Sequence, residues 1–311
     1  MSSLRLRSPA KVNLHLEVLG LRGDGFHELA MVMQSIDLAD ELCLSTTAAS
    51  GFRLCCDVAE VPLDRSNLVL RAAERLATAF PQQARGVLFE LTKRIPIGAG
   101  LAGGSSNAAA ALVGLNHLWG LGLTLEQLQP YAAALGSDIS FCLAGGTQLC
   151  FGRGERLEPV EPLQRGAIVL LKHPEVAIST PWAYGLCREQ LGHRYLQGEC
   201  SFAERRMALR RGPLLAGIRG DNPAAVATAL RNDLEAPVCS LAPSVEAGLQ
   251  LLRSQAGVLG ACMSGSGPSH FALFRDRETA RATRRHLQPE LDRLGLKSWV
   301  CGFLPRGITT L

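Results

Sequence analysis

The residues most suggestive of chemistry are the glycines and hydroxyl side chains between positions 96 and 109. Four glycines remove Cβ atoms there, so the backbone can adopt conformations that are closed to other residues. Ser105, Ser106 and Asn107 are good helix N-caps, and the alanine- and leucine-rich stretch 108–118 is predicted to be helical. A loop that runs into a helix N-terminus offers free amide groups and the positive end of a dipole to an anion. We therefore expect this loop to bind phosphate, in preference to being an ordinary glycine-rich turn.

Two charged residues are candidates for handling a proton. Asp138 follows Gly136 at a predicted helix start and has apolar neighbours, which is an unusual setting for a carboxylate that is merely solvated. The structural alternative for Asp138 is a helix cap. Lys11 lies in a predicted strand, where a lysine is usually a surface charge. On the residues alone, both interpretations of each side chain stay open.

Three known phosphate-binding motifs can be compared with the glycine loop. A P-loop requires a lysine after its last glycine, but Gly104 is followed by two serines. The spacing of Gly98, Gly100 and Gly103 matches the dinucleotide-binding pattern, which also requires an acidic residue about 20 positions further on. No Asp or Glu occurs in residues 99–125. The protein-kinase glycine loop is accompanied by His-Arg-Asp and Asp-Phe-Gly, and neither tripeptide is present.

The pattern that remains is Pro-x-x-x-Gly-Leu-x-x-Gly-Ser-Ser, starting at Pro96. It resembles the ATP loop of the GHMP kinase superfamily, the group of galactokinase, homoserine kinase, mevalonate kinase and phosphomevalonate kinase. Six further blocks resemble one branch of that superfamily and occur in the same order along the chain: residues 8–14, 22–29, 67–73, 135–141, 232–235 and 263–267.

Three positions depart from the branch pattern, and one of them is Ser137, which stands where alanine is usual and is expected to be harmless. Ala102 stands where glycine is frequent, and Phe26 stands where tyrosine is frequent. We expect a methyl group at position 102 to be tolerated if the backbone there has negative φ. Phe26 lacks a hydroxyl but keeps a ring that can stack on a base.

The resemblance implies ATP as phosphoryl donor, accompanied by Mg²⁺, with no protein residue assigned as a metal ligand. It implies a catalytic pair in which Asp138 accepts the proton of the acceptor hydroxyl, while Lys11 orients that hydroxyl and stabilises developing charge. The implied ATP-binding residues are Asn67, Pro96, Ile97, Gly98, Ala99, Gly100, Leu101, Ala102, Gly103, Gly104, Ser105 and Ser106.

The acceptor implied by the resemblance is a cytidine-diphosphate-linked polyol. Its tertiary 2-hydroxyl would be phosphorylated in the non-mevalonate route to isoprenoid precursors. Phe26 would stack on the base, His27 would fix the pyrimidine edge and Tyr184 would supply the other face. Asn13, which points to the same side of its strand as Lys11, and Thr180 complete the implied acceptor-binding set.

Three alternative functions can be weighed against this one. Another GHMP kinase, acting on homoserine or a mevalonate-type acceptor, would not need an aromatic slot for a base. A nicotinamide-dependent reductase is disfavoured because the acidic residue that would hold the ribose is absent. A nucleotide-binding module without catalysis would not need both Lys11 and Asp138.

The elements that must position these residues are predicted from hydrophobic periodicity and capping signals. Strands are predicted at residues 4–7, 12–19, 30–38, 41–46, 52–56, 86–93, 145–151, 167–172, 258–263 and 271–274. Helices are predicted at residues 67–80, 105–118, 125–135, 181–191, 201–208, 223–230, 245–255 and 278–287, with a short helix opened by Ser137 and Asp138. Because strands and helices alternate without regular β-α-β spacing, we expect an α+β fold.

Two domains are expected, comprising residues 1–160 and 161–311. The resemblance implies that the first is like domain 2 of ribosomal protein S5, that the second is ferredoxin-like, and that the active site lies in the cleft between them.

Composition sets limits on partners and compartment. With 47% hydrophobic and 19% charged residues in 311, the chain is expected to be a soluble globular protein. The net charge of +4 suits a small anionic substrate, and the absence of long basic runs argues against nucleic acid. The ten cysteines contain no Cys-x-x-Cys pair, and no apolar run suggests a signal peptide or a membrane span. We expect a reduced cytoplasmic protein that is a monomer or a weak homodimer.

Overall fold

The computed structural model describes residues 2–311, and its strands form two sheets. The eight-stranded first sheet contains β1 (Ser3–Leu21), β2 (His27–Thr47), β3 (Phe52–Cys56), β4 (Gly86–Thr92), β5 (Thr147–Gly152), β6 (Arg156–Val160), β8 (Arg231–Asn232) and β12 (Thr309–Thr310). The second sheet has the order β11-β7-β10-β9, with β7 at Ala167–Lys172, β9 at Val258–Met263, β10 at His270–Phe274 and β11 at Lys297–Gly302.

The helices fall into two groups along the chain. The first group follows the early strands and comprises α1 (Leu68–Ala79), α2 (Gly103–Leu118), α3 (Leu125–Leu135) and α4 (Ser137–Ala144). The second comprises α5 (Thr180–Leu191), α6 (Gly198–Arg211), α7 (Pro213–Arg219), α8 (Pro223–Thr228), α9 (Glu235–Cys239), α10 (Pro243–Arg253) and α11 (Arg277–Arg293).

Strand β1 is buried on both faces and forms the middle layer of the molecule. Leu6 and Leu16 belong to the hydrophobic cluster formed with α1–α4, whereas Val12 and Leu14 belong to a second cluster that includes residues of β7 and β10. A strand covered on both sides carries apolar residues on both faces. Lys11 and Asn13 lie within this strand between two register shifts in its pairing with β2, so polar side chains are set into an otherwise apolar layer.

Helix α2 packs closely against β1 and β2, which fixes the position of the glycine loop before it. A Cβ atom at Gly114 would lie 2.7 Å from a methyl carbon of Leu44 and 2.9 Å from one of Leu6. The alanines at positions 108–111 are fully buried and add little bulk. These small side chains let the helix approach the sheet closely.

The α+β class is confirmed, but several element boundaries are wrong. The strands predicted at 4–7 and 12–19 are one continuous strand, and α2 begins at Gly103 instead of position 105. The sequence patterns did not reveal β6, α7, α9, β11 or the two-residue strands β8 and β12. Strands β8, β11 and β12 pair with strands that are distant in sequence. Both β8 and β12 pair with β1, so parts of the second half of the chain join the first sheet. The division at residue 160 and the two named domain types stay predictions.

All ten cysteines carry free thiols. Among the described residues, no helix combines the length and the apolar character needed to cross a membrane.

Candidate active site

A cavity of about 980 Å³ brings together residues from both halves of the sequence. Every predicted site residue lines it except Ser106. The lining set comprises Lys11, Asn13, Phe26, His27, Asn67, the loop residues 96–105, Asp138, Thr180 and Tyr184. A large concave pocket with convergent polar groups is the usual form of a small-molecule site.

The glycine loop follows a backbone path with positive φ at alternate residues. Gly98, Gly100 and Ala102 have φ values of 61°, 70° and 57°. Ala102 occupies the N-cap position of α2 in the left-handed conformation, so the condition of negative φ, under which its methyl group was expected to be tolerated, is not met. This conformation brings Cβ close to the backbone and costs about 1–2 kcal/mol for a residue other than glycine. The amides of the next three residues, Gly103 to Ser105, have no partner within the helix and are free to bind an anion.

A second glycine loop, residues 264–267 between β9 and β10, supports the first. A Cβ atom at Gly100 would lie 2.6 Å from the Ser264 carbonyl oxygen and 2.8 Å from the Gly267 carbonyl oxygen. The reverse approach is also close, with a Cβ at Gly265 only 2.9 Å from the Gly100 carbonyl oxygen. Two backbone segments can approach this closely only where side chains are absent.

Lys11 joins the glycine loop to Asp138. Its Nζ donates to Asn13 Oδ1 at 2.8 Å and to the Gly100 carbonyl oxygen at 3.1 Å, and it lies 3.9 Å from Asp138 Oδ2. The Lys11 side chain is 4% exposed, whereas that of Asp138 is 41% exposed. Gly136 occupies the N-cap position of α4 and Asp138 lies in the first turn, so Asp138 is not the cap. The arrangement holds a buried cation beside a carboxylate that remains open to the cavity.

The hydroxyl groups at the start of α2 have different surroundings. Ser106 is fully buried, and its Oγ donates to the Pro9 carbonyl oxygen at 2.7 Å and accepts from Ser8 Oγ at 2.9 Å. Neither Ser106 nor Asn107 caps the helix, because helix formation starts earlier at Gly103. Ser106 therefore fastens α2 to β1, and Ser105 is the serine whose side chain lines the cavity.

The aromatic groups at the other end of the cavity are arranged differently from the expected sandwich. The ring of His27 stacks on Tyr184 with centroids 5.1 Å apart and contacts the edge of Tyr195 at 5.6 Å. Phe26 is 54% exposed, and the guanidinium of Arg153 lies 4.8 Å from its ring centroid. Because His27 stacks on Tyr184, one face of the Tyr184 ring is covered by His27.

His27 presents an unsatisfied nitrogen. Its Nε2 is buried and finds no hydrogen-bond partner in the described part of the chain. Burial, together with the positive charge of Arg188, lowers the pKa of His27 below its ordinary value of 6.5. A buried polar atom without a partner is costly. A ligand that formed a hydrogen bond with Nε2 of the neutral imidazole would remove this cost.

The remaining predicted residues have local partners as well as access to the cavity. Asn67 caps α1 by accepting from the Val69 amide at 2.9 Å, and its Nδ2 donates to the Pro62 carbonyl oxygen at 2.7 Å. Thr180 and Ser266 share a hydrogen bond of 3.1 Å between their hydroxyl groups.

Two charged side chains that line the cavity, Arg153 and Arg188, were not predicted as site residues from the sequence. Asn13 N donates to Ser264 Oγ at 3.3 Å, which connects β1 to the second glycine loop. Arg153 and Arg188 line the cavity, as does Ser266. No sequence motif marks either arginine as a site residue.

The comparisons with known proteins agree with this geometry. The model of the GHMP kinases N terminal domain matches residues 67–146, and that of the GHMP kinases C terminal domain matches residues 214–292. A 4-diphosphocytidyl-2-C-methyl-D-erythritol kinase from Synechococcus sp. (strain CC9902) is 54% identical over 306 residues, covering 98% of both chains.

Solved structures of kinases are also similar to this chain. A crystal structure of 4-(cytidine 5'-diphospho)-2C-methyl-D-erythritol kinase is 30% identical with a TM-score of 0.74, covering 96% of this chain and 99% of that one. A homoserine kinase from Cytophaga hutchinsonii has a TM-score of 0.77 at 22% identity, covering 100% and 98% of the two chains, and shows the shared fold alone. The chain therefore belongs to the GHMP kinase family and, within it, to the 4-diphosphocytidyl-2-C-methyl-D-erythritol kinases.

Proposed function

We propose that this kinase transfers the γ-phosphoryl group of ATP to the 2-hydroxyl of 4-diphosphocytidyl-2-C-methyl-D-erythritol, a step of the non-mevalonate route to isoprenoid precursors. One observation carries the proposal: the glycine loop, the Lys11–Asp138 pair and His27 all line one cavity, and the buried Nε2 of His27 has no partner within residues 2–311. The names shared by the relatives supply the identity of the acceptor.

The glycine loop binds the phosphates of ATP in this proposal. The free amides at the N-terminus of α2 and the dipole of its 16 residues attract the anion, so no lysine is needed inside the loop. Asn67 lies beside this half of the cavity, where it is assigned to the nucleotide. The buried side of the loop rests on the second glycine loop, which limits its movement.

Asp138 and Lys11 act on the acceptor hydroxyl. Asp138 is exposed to the cavity and accepts the proton as the hydroxyl attacks the γ-phosphorus atom. Lys11 is held by Asn13 and Gly100, and its charge stabilises the developing negative charge of the transferring group. Because Lys11 also contacts the glycine loop, it aligns the donor and acceptor halves of the site.

The base of the acceptor binds at the His27 end of the cavity. The buried Nε2 of His27 forms a hydrogen bond with the edge of the cytosine, which satisfies an atom that has no partner within residues 2–311. Tyr184 and Phe26 supply apolar ring surface, and Thr180 is available for a polar contact. A site built around such a hydrogen bond discriminates strongly against acceptors that lack the matching group.

Mg²⁺ fits the donor groups of this cavity as an ion bound chiefly by phosphate and water. Within residues 2–311 no group of three or more His, Cys, Asp or Glu side chains could hold a metal by itself. Mg²⁺ usually keeps several waters and takes one or two protein ligands beside substrate phosphates. When bound, it would neutralise charge on the transferred phosphates. We assign Ser105 as the hydroxyl nearest to it, since Ser106 is engaged by Ser8 and Pro9.

Further properties are part of the same proposal. The modest charge of +4 supports small-molecule partners instead of nucleic acid. Ten free thiols suit the reducing cytoplasm. We infer a monomer or a weak homodimer, which light scattering of the purified protein tests.

The identity of the product tests the proposed reaction. Phosphorus NMR of the mixture after incubation with ATP and the cytidyl acceptor should show a new phosphomonoester, with the diphosphate resonances of the acceptor retained. Loss of the diphosphate resonances would instead indicate attack on the wrong bond.

A further inference from the structure

Four basic side chains line the cavity, and they divide into two pairs. Lys11 is engaged by Asn13, Gly100 and Asp138, as described above. Lys93 forms a buried ion pair with Asp40. Arg153 and Arg188 have no ion pair with any carboxylate in the described part of the chain, although both line the cavity. The cavity therefore holds two guanidinium groups whose donors are not engaged by an ion pair within residues 2–311.

Both arginines lie at the acceptor end of the cavity. The guanidinium of Arg153 rests on the ring of Phe26, 4.8 Å from its centroid. Its backbone is fixed as well, because the Arg153 amide donates to Glu155 Oε2 at 2.7 Å. Arg188 lies four residues after Tyr184 on α5, hence on the same face of that helix as the ring that stacks on His27.

The positive charge of Arg188 acts on His27 inside the cavity. Its charge contributes, after burial, to lowering the pKa of His27. A cation near a buried imidazole is unfavourable to that imidazole's protonated form. Burial, and secondarily the charge of Arg188, thus lower the pKa of His27 and favour its neutral form.

The ATP phosphates do not require these arginines, because backbone amides and a helix dipole serve the glycine loop. The acceptor, in contrast, carries a diphosphate between its base and its polyol. A guanidinium offers a planar set of donors that matches phosphate oxygens in a bidentate manner. The two unpaired guanidinium groups and the acceptor's diphosphate are therefore complementary in charge and in geometry.

We propose that Arg153 and Arg188 bind the diphosphate of the acceptor and thereby select a nucleoside-diphosphate-linked substrate. This assignment rests on the proposed function. Arg153 approaches from the turn between β5 and β6, and Arg188 approaches from α5. The cation–π contact with Phe26 holds the Arg153 guanidinium in a defined position before the acceptor arrives.

Inhibition by nucleotides that differ only in their phosphates tests the assignment. Cytidine 5′-diphosphate and cytidine are measured as competitive inhibitors against the acceptor, for the wild-type enzyme and for Arg153→Ala and Arg188→Ala. A hydrogen bond to a charged group is worth enough to change the inhibition constant about tenfold or more. We expect each substitution to raise the constant for the diphosphate by about this factor, with cytidine changed less than twofold and the KM for ATP unchanged.

Control variants separate charge from packing. Arg211→Ala removes an exposed arginine at the end of α6 that does not line the cavity, and it should change neither constant. Arg153→Lys and Arg188→Lys keep the charge but lose the bidentate geometry, and should give intermediate values.

The possible results have distinct meanings. Equal weakening of cytidine and its diphosphate, or no weakening of either, would overturn the assignment while leaving the kinase function intact. A wild-type enzyme that is not inhibited by cytidine 5′-diphosphate and does not phosphorylate the cytidyl acceptor would overturn the proposed function, and this assignment with it.

Discussion

Lys11 Nζ lies 3.9 Å from Asp138 Oδ2, and the two side chains differ in exposure, at 4% and 41%. The lysine is fixed by the Asn13 amide oxygen and by the carbonyl oxygen of Gly100 in the glycine loop. The carboxylate remains accessible to a substrate. A single buried cation thus connects the loop assigned to ATP with the group assigned to the acceptor's proton.

The first prediction concerns Asp138. Asp138→Asn keeps the size of the side chain but removes its ability to accept a proton, so kcat should fall by about 10²–10⁴-fold. The dissociation constant for ATP should change little, because the glycine loop is untouched. Steady-state kinetics and equilibrium titration with ATP measure the two quantities.

A neighbouring variant provides the control for this experiment. Ser137→Ala alters the preceding residue of α4 without removing a charge and should retain turnover. If Asp138→Asn turned over at a near-normal rate, the role assigned to Asp138 would be wrong.

The second prediction concerns the strained alanine of the glycine loop. Ala102 has a φ of 57°, where glycine is favoured. Ala102→Gly should therefore raise the free energy of unfolding by about 0.5–1 kcal/mol, because relief of the Cβ strain outweighs the greater freedom of glycine in the unfolded chain. Urea denaturation monitored by circular dichroism gives this free energy.

The same substitution inside α2 is the matched control. Ala111→Gly places glycine in a buried helix interior and should lower the free energy of unfolding by about 1 kcal/mol or more. Destabilisation by Ala102→Gly of similar size would contradict the assignment of strain to position 102.

The third prediction concerns the protonation of His27. Burial and the charge of Arg188 lower its pKa below 6.5, so His27 is neutral at pH 7. Arg188→Gln removes the second cause and should raise the pKa of His27, although burial keeps it below 6.5. An NMR titration of the imidazole protons, assigned with His27→Asn, measures the change.

The pH dependence of stability follows from the same shift. The unfolded chain, with His27 at its ordinary pKa of 6.5, binds more protons than the folded chain as the pH falls below that value. The contribution of His27 to folding therefore weakens from pH 6.5 downwards and levels off below the folded pKa. A pKa of His27 that stayed constant or fell in Arg188→Gln would contradict the electrostatic role of Arg188.

Features that depend on near neighbours could be predicted from the sequence. The capping box of Thr124 and Gln127 forms as expected at the start of α3, and β3 occupies the predicted residues 52–56. The helix that follows the glycines at 96–109 is likewise evident from its run of alanine and leucine residues, although its start was placed two residues late. In each case the relevant interactions lie within a few residues of one another.

Other features depend on contacts between distant parts of the chain. Ser105 and Ser106 are adjacent and chemically identical, yet only the packing of α2 on Ser8 and Pro9 decides which one is buried. The positive φ of Ala102 likewise occurs in a loop held by distant segments, since the Lys11 amide donates to the Leu101 carbonyl oxygen and Gly100 lies against residues 264–267. The sequence pattern contains no signal for either arrangement.

The acceptor specificity of the enzyme tests the central claim most directly. Release of ADP is measured by a coupled assay with ATP and a panel of acceptors: 4-diphosphocytidyl-2-C-methyl-D-erythritol, homoserine and mevalonate. We expect ADP release with the cytidyl compound alone, because only that acceptor satisfies the buried Nε2 of His27. Turnover of homoserine or mevalonate, with none of the cytidyl compound, would contradict the account.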